Sequence, residues 1–304
     1  MVKLVAEIGC NHKGDFKIAK EMIAIAASCG ADVVKFQKRN NKELLGTNAF
    51  NKPHPVSENS YGKTYGLHRD FLEFNIEQHK ELKKTCKSFN VIYSVSVWDI
   101  ISAREVVSIK PEFIKIPSAT NLNFDIHNYL VKNFNGKVHI SMGMTSENEI
   151  NSIIKFYNYH KKSKNLVIYA CTSCYPVQPK DLCLLEIEKL IKLYGDNIGA
   201  FGFSGHHNGI APDIAALTIG LMYSKKMKAK FDFIERHFTL DRTWKGTDHA
   251  ASLEPDGLKK LSRDIKNIIK TLTNKNDDIL DVEKETRNKL KTFVKDKLFL
   301  VGLN

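Results

Sequence analysis

Residues 4–37 read LVAEIGCNHKGDFKIAKEMIAIAASCGADVVKFQ. The short apolar run Leu4–Gly9 has the length of a buried strand, Phe16–Ser28 carries apolar residues at helical spacing, and Val33–Gln37 is a second strand. No Gly-x-Gly-x-x-Gly turn follows the first strand, which argues against the alternative of a doubly wound sheet. The alternation continues beyond it. A long irregular segment, Arg39–Arg69, holds Pro53 and Pro55, and loops of that length in a compact domain are more often functional than idle. Next come a helix over Ile76–Phe89, a strand over Val91–Val97, a helix over Ile101–Ser108 and a strand over Phe113–Ile116. Helices over Ile126–Asn133 and Glu147–His160 flank a strand over Val138–Ser141. The second half gives strand Leu166–Cys171, helix Leu184–Leu193, strand Ile198–Phe203, helix Asp213–Tyr223, strand Phe231–Ile234 and helix Gly257–Leu272. About eight strand–helix units in about 270 residues predict an α/β fold of the (β/α)8 TIM-barrel type. The barrel is expected over 1–275, with a short C-terminal extension over 276–304.

The composition is that of an ordinary soluble globular chain, with 304 residues, 42% hydrophobic and 26% charged. The start, MVKLVAEIG, enters a strand directly and shows no signal-peptide pattern, and no apolar run has membrane-spanning length. The six cysteines make no disulfide framework; a cytoplasmic location is expected. Net charge is +12, yet no basic stripe interleaves with stacking aromatics. Neither a nucleic-acid nor a membrane partner is expected; a positive field suits anionic small substrates.

If the chain is a barrel, chemically able side chains should collect at the C-terminal ends of the strands. They do. In chain order the strand ends offer Glu7 and Asn11, Lys35 and Gln37, Ser96, Lys115 and Ser118, Ser141, then Thr172, Ser173 and Tyr175, Ser204 and His206, and His237. The stretch Ile234–Pro255, IERHFTLDRTWKGTDHAASLEP, adds Asp248 on an irregular loop behind the last strand. Lys35 and Lys115 among hydroxyls make an oxyanion or phosphate cradle. His206 and His237, on adjacent strands, can each offer an imidazole nitrogen to a divalent cation. Glu7 and Asp248 can accept sugar hydroxyls or move protons. Singly, each residue reads as a solvated loop side chain or a satisfied core group; their recurrence at one end of every strand argues for a built site.

The segments VAEIGCNHKGD, VVKFQK, YGKTYGLHR, YSVSVWD, FIKIPSA, ISMGM, CTSCYP and FSGHHNGI, followed by the Ile234–Pro255 stretch, occur in the order seen in N-acetylneuraminate (sialic acid) synthases. The resemblance covers about residues 2–270. It implies a TIM-barrel transferase that condenses phosphoenolpyruvate with a mannosamine- or mannose-type sugar, releasing phosphate and giving a nonulosonic acid. A divalent metal, Mn2+ or Mg2+, is implied, and a homo-oligomer is compatible with it. YGKTYG and TWKGTDHAASLEP look most like the branch that takes the sugar 6-phosphate and makes the 9-phosphate of sialic acid or of its deaminated analogue. By motif, Lys35, Ser96, Lys115, Ser118, Ser141, Ser173 and Ser204 would line the phosphoenolpyruvate site. His206 and His237 would hold the metal, and Glu7, Asn59, Tyr175 and Asp248 would face the sugar, with Glu7, Lys35, Lys115 and Asp248 taking the catalytic parts.

Three departures stand out. Ser96 replaces a frequent threonine and keeps the hydroxyl, Ser173 replaces an asparagine of some relatives, and the family's C-terminal antifreeze-like domain is expected to be missing. The arginine which that domain donates to the sugar is therefore expected to be absent, to come from another chain, or to be replaced locally; Lys63, Arg69 and Lys245 are candidates for the sugar's phosphate. Two other readings stay open: a Schiff-base pyruvate aldolase using Lys115, and a non-catalytic basic barrel that binds a partner.

Overall fold

A computed structural model describes residues 2–291. Eight parallel strands close into a barrel in the order β1 to β8. The first units are β1 (Lys3–Gly9), α1 (Phe16–Ser28) and β2 (Val33–Lys38). The segment after β2 is not irregular throughout: it carries short helices α2 (Asn41–Leu44), α3 (Thr47–Asn51) and α4 (Tyr65–Leu72) before α5 (Ile76–Ser88). Polar caps explain where these turns start, since Asn40 accepts from Glu43 N and Thr64 from Leu67 N. The circuit continues with β3 (Ile92–Val97), α6 (Ile100–Ser108), β4 (Phe113–Ile116), α7 (Phe124–Asn133), β5 (Lys137–Ser141) and α8 (Glu147–Tyr159). It closes with β6 (Leu166–Ala170), α9 (Glu186–Tyr194), β7 (Ala200–Gly205), α10 (Ala211–Lys226), β8 (Phe231–His237) and α11 (Pro255–Thr271). Capping boxes at Asn75/Gln78 and Ser146/Glu149 fix the starts of α5 and α8.

The described residues divide at Lys266/Asn267 into two compact units. In the second, Glu283 in the first turn of α12 (Asp281–Leu290) pairs with Lys275 at 2.9 Å. Among the described residues no helix is long and apolar enough to cross a membrane.

Both faces of a barrel strand are covered, so strand sequences run almost wholly apolar. Val5, Val33, Phe113, Val167, Tyr169, Ala200 and Phe233 form a buried plug inside the barrel. His139 is stacked on Phe113 at 3.9 Å and bonded through Nδ1 to the Tyr169 hydroxyl at 2.8 Å. At roughly 1.5–3 kcal/mol per large buried side chain, the plug contributes on the order of 10 kcal/mol. That is the scale needed beside an ionic layer whose members each cost several kcal/mol to desolvate.

Two strands end later than the apolar runs suggest. β7 takes in Ser204 and Gly205, and β8 extends through Glu235, Arg236 and His237. A polar triplet would ordinarily end a buried strand; here Glu235 and Arg236 are both paired. Arg236 points to the outer side, donating to Asp213 Oδ2, to Gly209 O at 2.8 Å and to His207 O at 2.5 Å. Glu235 and His237 alternate with it and face the barrel interior.

Candidate active site

Strand register assembles the site. Glu7 on β1 lies opposite Lys35 on β2 and opposite His237 on β8. Ser96 on β3 lies opposite Lys115 on β4, and Ser204 on β7 opposite Glu235 on β8. Because side chains in register share a face, these groups meet at one level above the plug. The floor is an ionic layer. Lys35 Nζ is 2.5 Å from Glu7 Oε2, 3.5 Å from Glu235 Oε1 and donates to Ser96 Oγ at 2.9 Å. Lys115 Nζ donates to Glu235 Oε1 at 2.6 Å and sits 4.2 Å above the Tyr169 ring. Ser204 Oγ donates to the same Glu235 oxygen at 3.1 Å. Glu7, Lys35, Lys115 and Glu235 are 1–3% exposed.

Burial works against every charge in this layer, and the partners decide the outcome. For Glu235 burial would raise the carboxyl, but the Lys115 and Lys35 ammoniums outweigh it and hold it below the usual range. For Lys35 burial is more than offset by Glu235 and Glu7, so its ammonium is raised. Lys115 is lowered, because burial and the neighbouring Lys35 exceed the help from Glu235.

A cavity of about 290 Å3 opens above this floor. Its lining holds Glu7, Lys35, Ser96, Lys115, Ser118, Ser141, Ser173, Tyr175, Ser204, His206, His237 and Asp248. Of the residues singled out in the sequence, Asn11, Asn59, Lys63, Thr172 and Lys245 do not line it. Asn11 donates to Phe238 O and Ser252 Oγ, and the Thr172 hydroxyl donates to Asp181 O. Asn59 Oδ1 accepts from Gly246 N at 3.4 Å, joining the β2–β3 connection to the loop after β8. The hydroxyl wall leans on Gly143. A Cβ there would come within 2.4 Å of Ser173 Oγ and 2.9 Å of Ser118 Oγ, so only glycine lets these oxygens converge. Ser173 Oγ is buried with no hydrogen-bond partner, a polar group held ready for a ligand. Gly9, at φ +56°, does the same for the opposite wall, where Glu7, Gln37 and Asp248 crowd its missing side chain.

The histidine pair stands beside the floor with ring centroids 5.4 Å apart, and Tyr175 lies 4.2 Å from His206. Thr172 O accepts from His206 Nδ1 at 2.8 Å, which leaves Nε2 as a lone-pair nitrogen. Burial first, and then His237, lower His206 to about 3, so its imidazole is neutral. His237 Nδ1 is a buried atom without a hydrogen-bond partner, 3.7 Å from Asp248 Oδ2. Burial raises Asp248, but His237, the Thr247 hydroxyl, Arg69 and Arg39 outweigh it and keep the carboxylate ionised. Two imidazoles, one neutral and oriented by a carbonyl and the other with an orphaned nitrogen, fit an open divalent-cation site. Among the described residues no third His, Cys, Asp or Glu completes a closed set. His207 and His249 stand apart: His207 Nε2 is 3.2 Å from Asp213 Oδ2 behind the barrel wall, and His249 Nδ1 is 2.7 Å from the Thr239 hydroxyl.

A profile of the NeuB family matches residues 22–277. The chain belongs to the NeuB family. Over 287 residues it is 36% identical to the N-acetylneuraminate-9-phosphate synthase of Homo sapiens, spanning 94% of this chain and 76% of that one. To the N,N'-diacetyllegionaminic acid synthase of Campylobacter jejuni it is 31% identical over 270 residues, spanning 88% of this chain and 77% of the other. The crystal structure of the sialic acid synthetase of Leptospira borgpetersenii, in complex with citrate, matches with a TM-score of 0.77 at 27% identity, over 95% of this chain and 92% of that one. The family and the barrel that the motif order implies are thus both found, and the chain is an enzyme of the sialic acid synthase kind.

This NeuB-family site also contains groups that the sequence reading gave no role. Glu235 is the most consequential, and its signal was available: in Phe233, Glu235 and His237 the period of two puts the carboxylate on the face that carries the histidine. Arg39 donates through Nη2 to Gln37 Oε1, pairs with Glu73 at 3.2 Å and stacks over Trp98 at 3.9 Å. Gln37 in turn donates to Glu7 Oε1 at 2.7 Å, so the β2–β3 connection reaches the ionic floor through a chain of side chains.

Proposed function

We propose that this chain condenses phosphoenolpyruvate with a mannosamine- or mannose-type sugar carrying a 6-phosphate, giving a nonulosonic acid 9-phosphate and inorganic phosphate. The observation that carries the reading is the pairing of two features in one cavity. A floor of two buried ammoniums and strand-end hydroxyls suits a small, highly charged enol phosphate. Directly beside it, a histidine pair with Asp248 and Tyr175 suits a sugar aldehyde. The 36% identity to a 9-phosphate synthase supports the phosphorylated product.

In this reading Lys35, Lys115 and the hydroxyls of Ser96, Ser118, Ser141, Ser173 and Ser204 bind the donor's carboxylate and phosphate. The donor's C3 forms a bond to the aldehyde carbon, water adds at C2, and the C–O bond to phosphate breaks, so the bridging oxygen leaves with phosphorus. Glu7 and Glu235 are the carboxylates within reach of that water and of the protons it sheds. Asp248 and Tyr175 orient the sugar. His206 and His237 would hold a divalent cation, Mn2+ or Mg2+, which when bound supplies Lewis-acid polarisation of the aldehyde.

The test is to offer purified protein phosphoenolpyruvate with mannose and N-acetylmannosamine, each with and without 6-phosphate, and to score keto acid by mass. Donor labelled with 18O in the bridging position should yield labelled phosphate; unlabelled phosphate, or no product from any sugar, overturns the reading. The Schiff-base reading is disfavoured because the Lys115 ammonium is tied to Glu235 at 2.6 Å, and borohydride with pyruvate should leave Lys115 unmodified. The metal assignment has a separate readout. Calorimetric titration of Mn2+ should lose at least tenfold in affinity in His237→Ala at an unchanged circular dichroism spectrum; equal affinity would remove His237 from the ligand set.

A further inference from the structure

Four cationic side chains line the cavity: Lys35, Arg39, Arg69 and Lys115. Three are paired with carboxylates, Lys35 with Glu7, Lys115 with Glu235 and Arg39 with Glu73. Arg69 is not. Its Nε and Nη2 both point at one neutral oxygen, Tyr65 Oη, at 3.2 Å each, and the guanidinium lies 5.4 Å from the same ring. Among the described residues it makes no ion pair. The side chain is thus held in place by a phenol on its own helix, four residues back. A cation in a cavity wall, steadied by a neutral group and without a direct ion pair among the described residues, is arranged for an anion that arrives with a ligand.

Its position says which anion. Arg69 belongs to α4, in the connection between β2 and β3, and that connection is fastened to the loop after β8. The Tyr61 hydroxyl donates to Lys245 O at 2.5 Å, and Asn59 takes Gly246 N. The loop so fastened is the one that carries Asp248, and the charge of Arg69 is felt by Asp248. Arg69 and Asp248, the carboxylate read above as facing the sugar, line the same cavity, and the donor's anionic groups are read above as lying on the lysine floor. The other basic side chains of this region do not compete: Lys63 is exposed, and Lys245 lies over the Tyr61 ring in an outer groove with Lys13 and Lys17.

We propose that Arg69 is the specificity residue for the acceptor, binding the phosphate at the end of the sugar remote from its aldehyde. This rests on the phosphorylated-acceptor reading above. An arginine fork can take two phosphate oxygens at once, which a point-charge lysine cannot.

The experiment compares wild type, Arg69→Gln and Arg69→Lys with one sugar in its free and 6-phosphorylated forms. In wild type kcat/KM should favour the phosphorylated sugar. Arg69→Gln should lower kcat/KM for that sugar by about 10- to 100-fold, the range for a charge-assisted contact. It should cost the free sugar clearly less than the phosphorylated one and leave the KM for phosphoenolpyruvate within about twofold, and Arg69→Lys should regain part of the loss. An equal loss on both sugars, or a loss that appears in the KM for phosphoenolpyruvate, overturns the assignment. If wild type prefers the phosphate and Arg69→Gln keeps that preference, this inference fails and the function stands. If wild type turns over both sugars alike, the phosphorylated-acceptor reading fails and takes this one with it.

Discussion

Glu235 is the residue on which the charge balance of the floor turns. One carboxylate oxygen accepts from Lys115 and Ser204 and lies 3.5 Å from Lys35, so two ammoniums share a single anion. Removing one member of a buried ionic cluster costs more than its presence contributes, because the remaining charges lose compensation in a low-dielectric interior. Glu235→Gln keeps the shape but leaves two buried cations against Glu7 alone. Its expected outcome is destabilisation of about 3–5 kcal/mol and at least a hundredfold loss of kcat. Denaturant melts and steady-state assays check this; a stable variant with normal turnover would show that Glu235 is a bystander. At this scale the sequence was legible in placing Lys35, Lys115 and His237 at strand ends, where all three line one cavity. Glu235 went without a role because the triplet Glu-Arg-His looks like the exit of a strand. Only its buried partners, contributed by β4, β7 and α10, make the triplet part of one.

The connection from β2 to β3 is the element that most changes the barrel's mouth. Its length alone marked it as functional, and it does deliver Arg39 and Arg69 to the cavity wall. Its internal order was not legible, because helices of four or five residues are set by local caps and tertiary contacts rather than by a hydrophobic period. The same holds for Asn59. An amide in a polar loop has several donors and acceptors to satisfy, and here a backbone N–H from the β8 loop takes the carbonyl oxygen. The fastening gives a prediction. Tyr61 donates to Lys245 O, stacks on Phe71 at 5.1 Å and carries the Lys245 ammonium 5.0 Å from its ring. Tyr61→Phe deletes only the hydrogen bond, worth about 1 kcal/mol. Because that bond links two loops rather than the core, protease cleavage within 39–69 should speed up severalfold. The KM for the acceptor should rise more than that for phosphoenolpyruvate, and the melting temperature should move by less than about 3 °C. Unchanged cleavage and unchanged KM values would mean the two loops hold together without it.

For the barrel as a whole, the alternation of strand and helix was readable throughout, since strands buried on both faces write themselves as apolar runs. What the sequence could not separate was a histidine that serves chemistry from one that fills the core, because imidazole does either according to its surroundings. The barrel unit buries several of the second kind. His79 bonds the Tyr93 hydroxyl at 2.7 Å, His127 bonds Asn121 O at 2.8 Å, and His12 stacks on Phe74 at 4.1 Å. Burial is the main cause that lowers them, His79 and His12 to about 3 and His127 to about 4. The unfolded chain restores the ordinary value near 6.5, so below that pH it takes up protons that the folded chain refuses, and stability falls as pH falls. The loss should begin near pH 6.5 and continue until the folded values are reached. It amounts to on the order of 1–2 kcal/mol per histidine by pH 5. Depressed carboxylates such as Asp248 add their own loss only near and below pH 4, whereas Glu73, raised by burial, works the other way. The window from 6.5 to 4.5 therefore reports mainly on the histidines. Urea melts of the wild type across that window should show a falling free energy of unfolding. His79→Gln should start lower at pH 8, having lost its bond to Tyr93, yet decline less steeply. A wild-type profile that is flat or rising toward pH 5, or a His79→Gln profile as steep as the wild type, would show that these rings take up protons while folded.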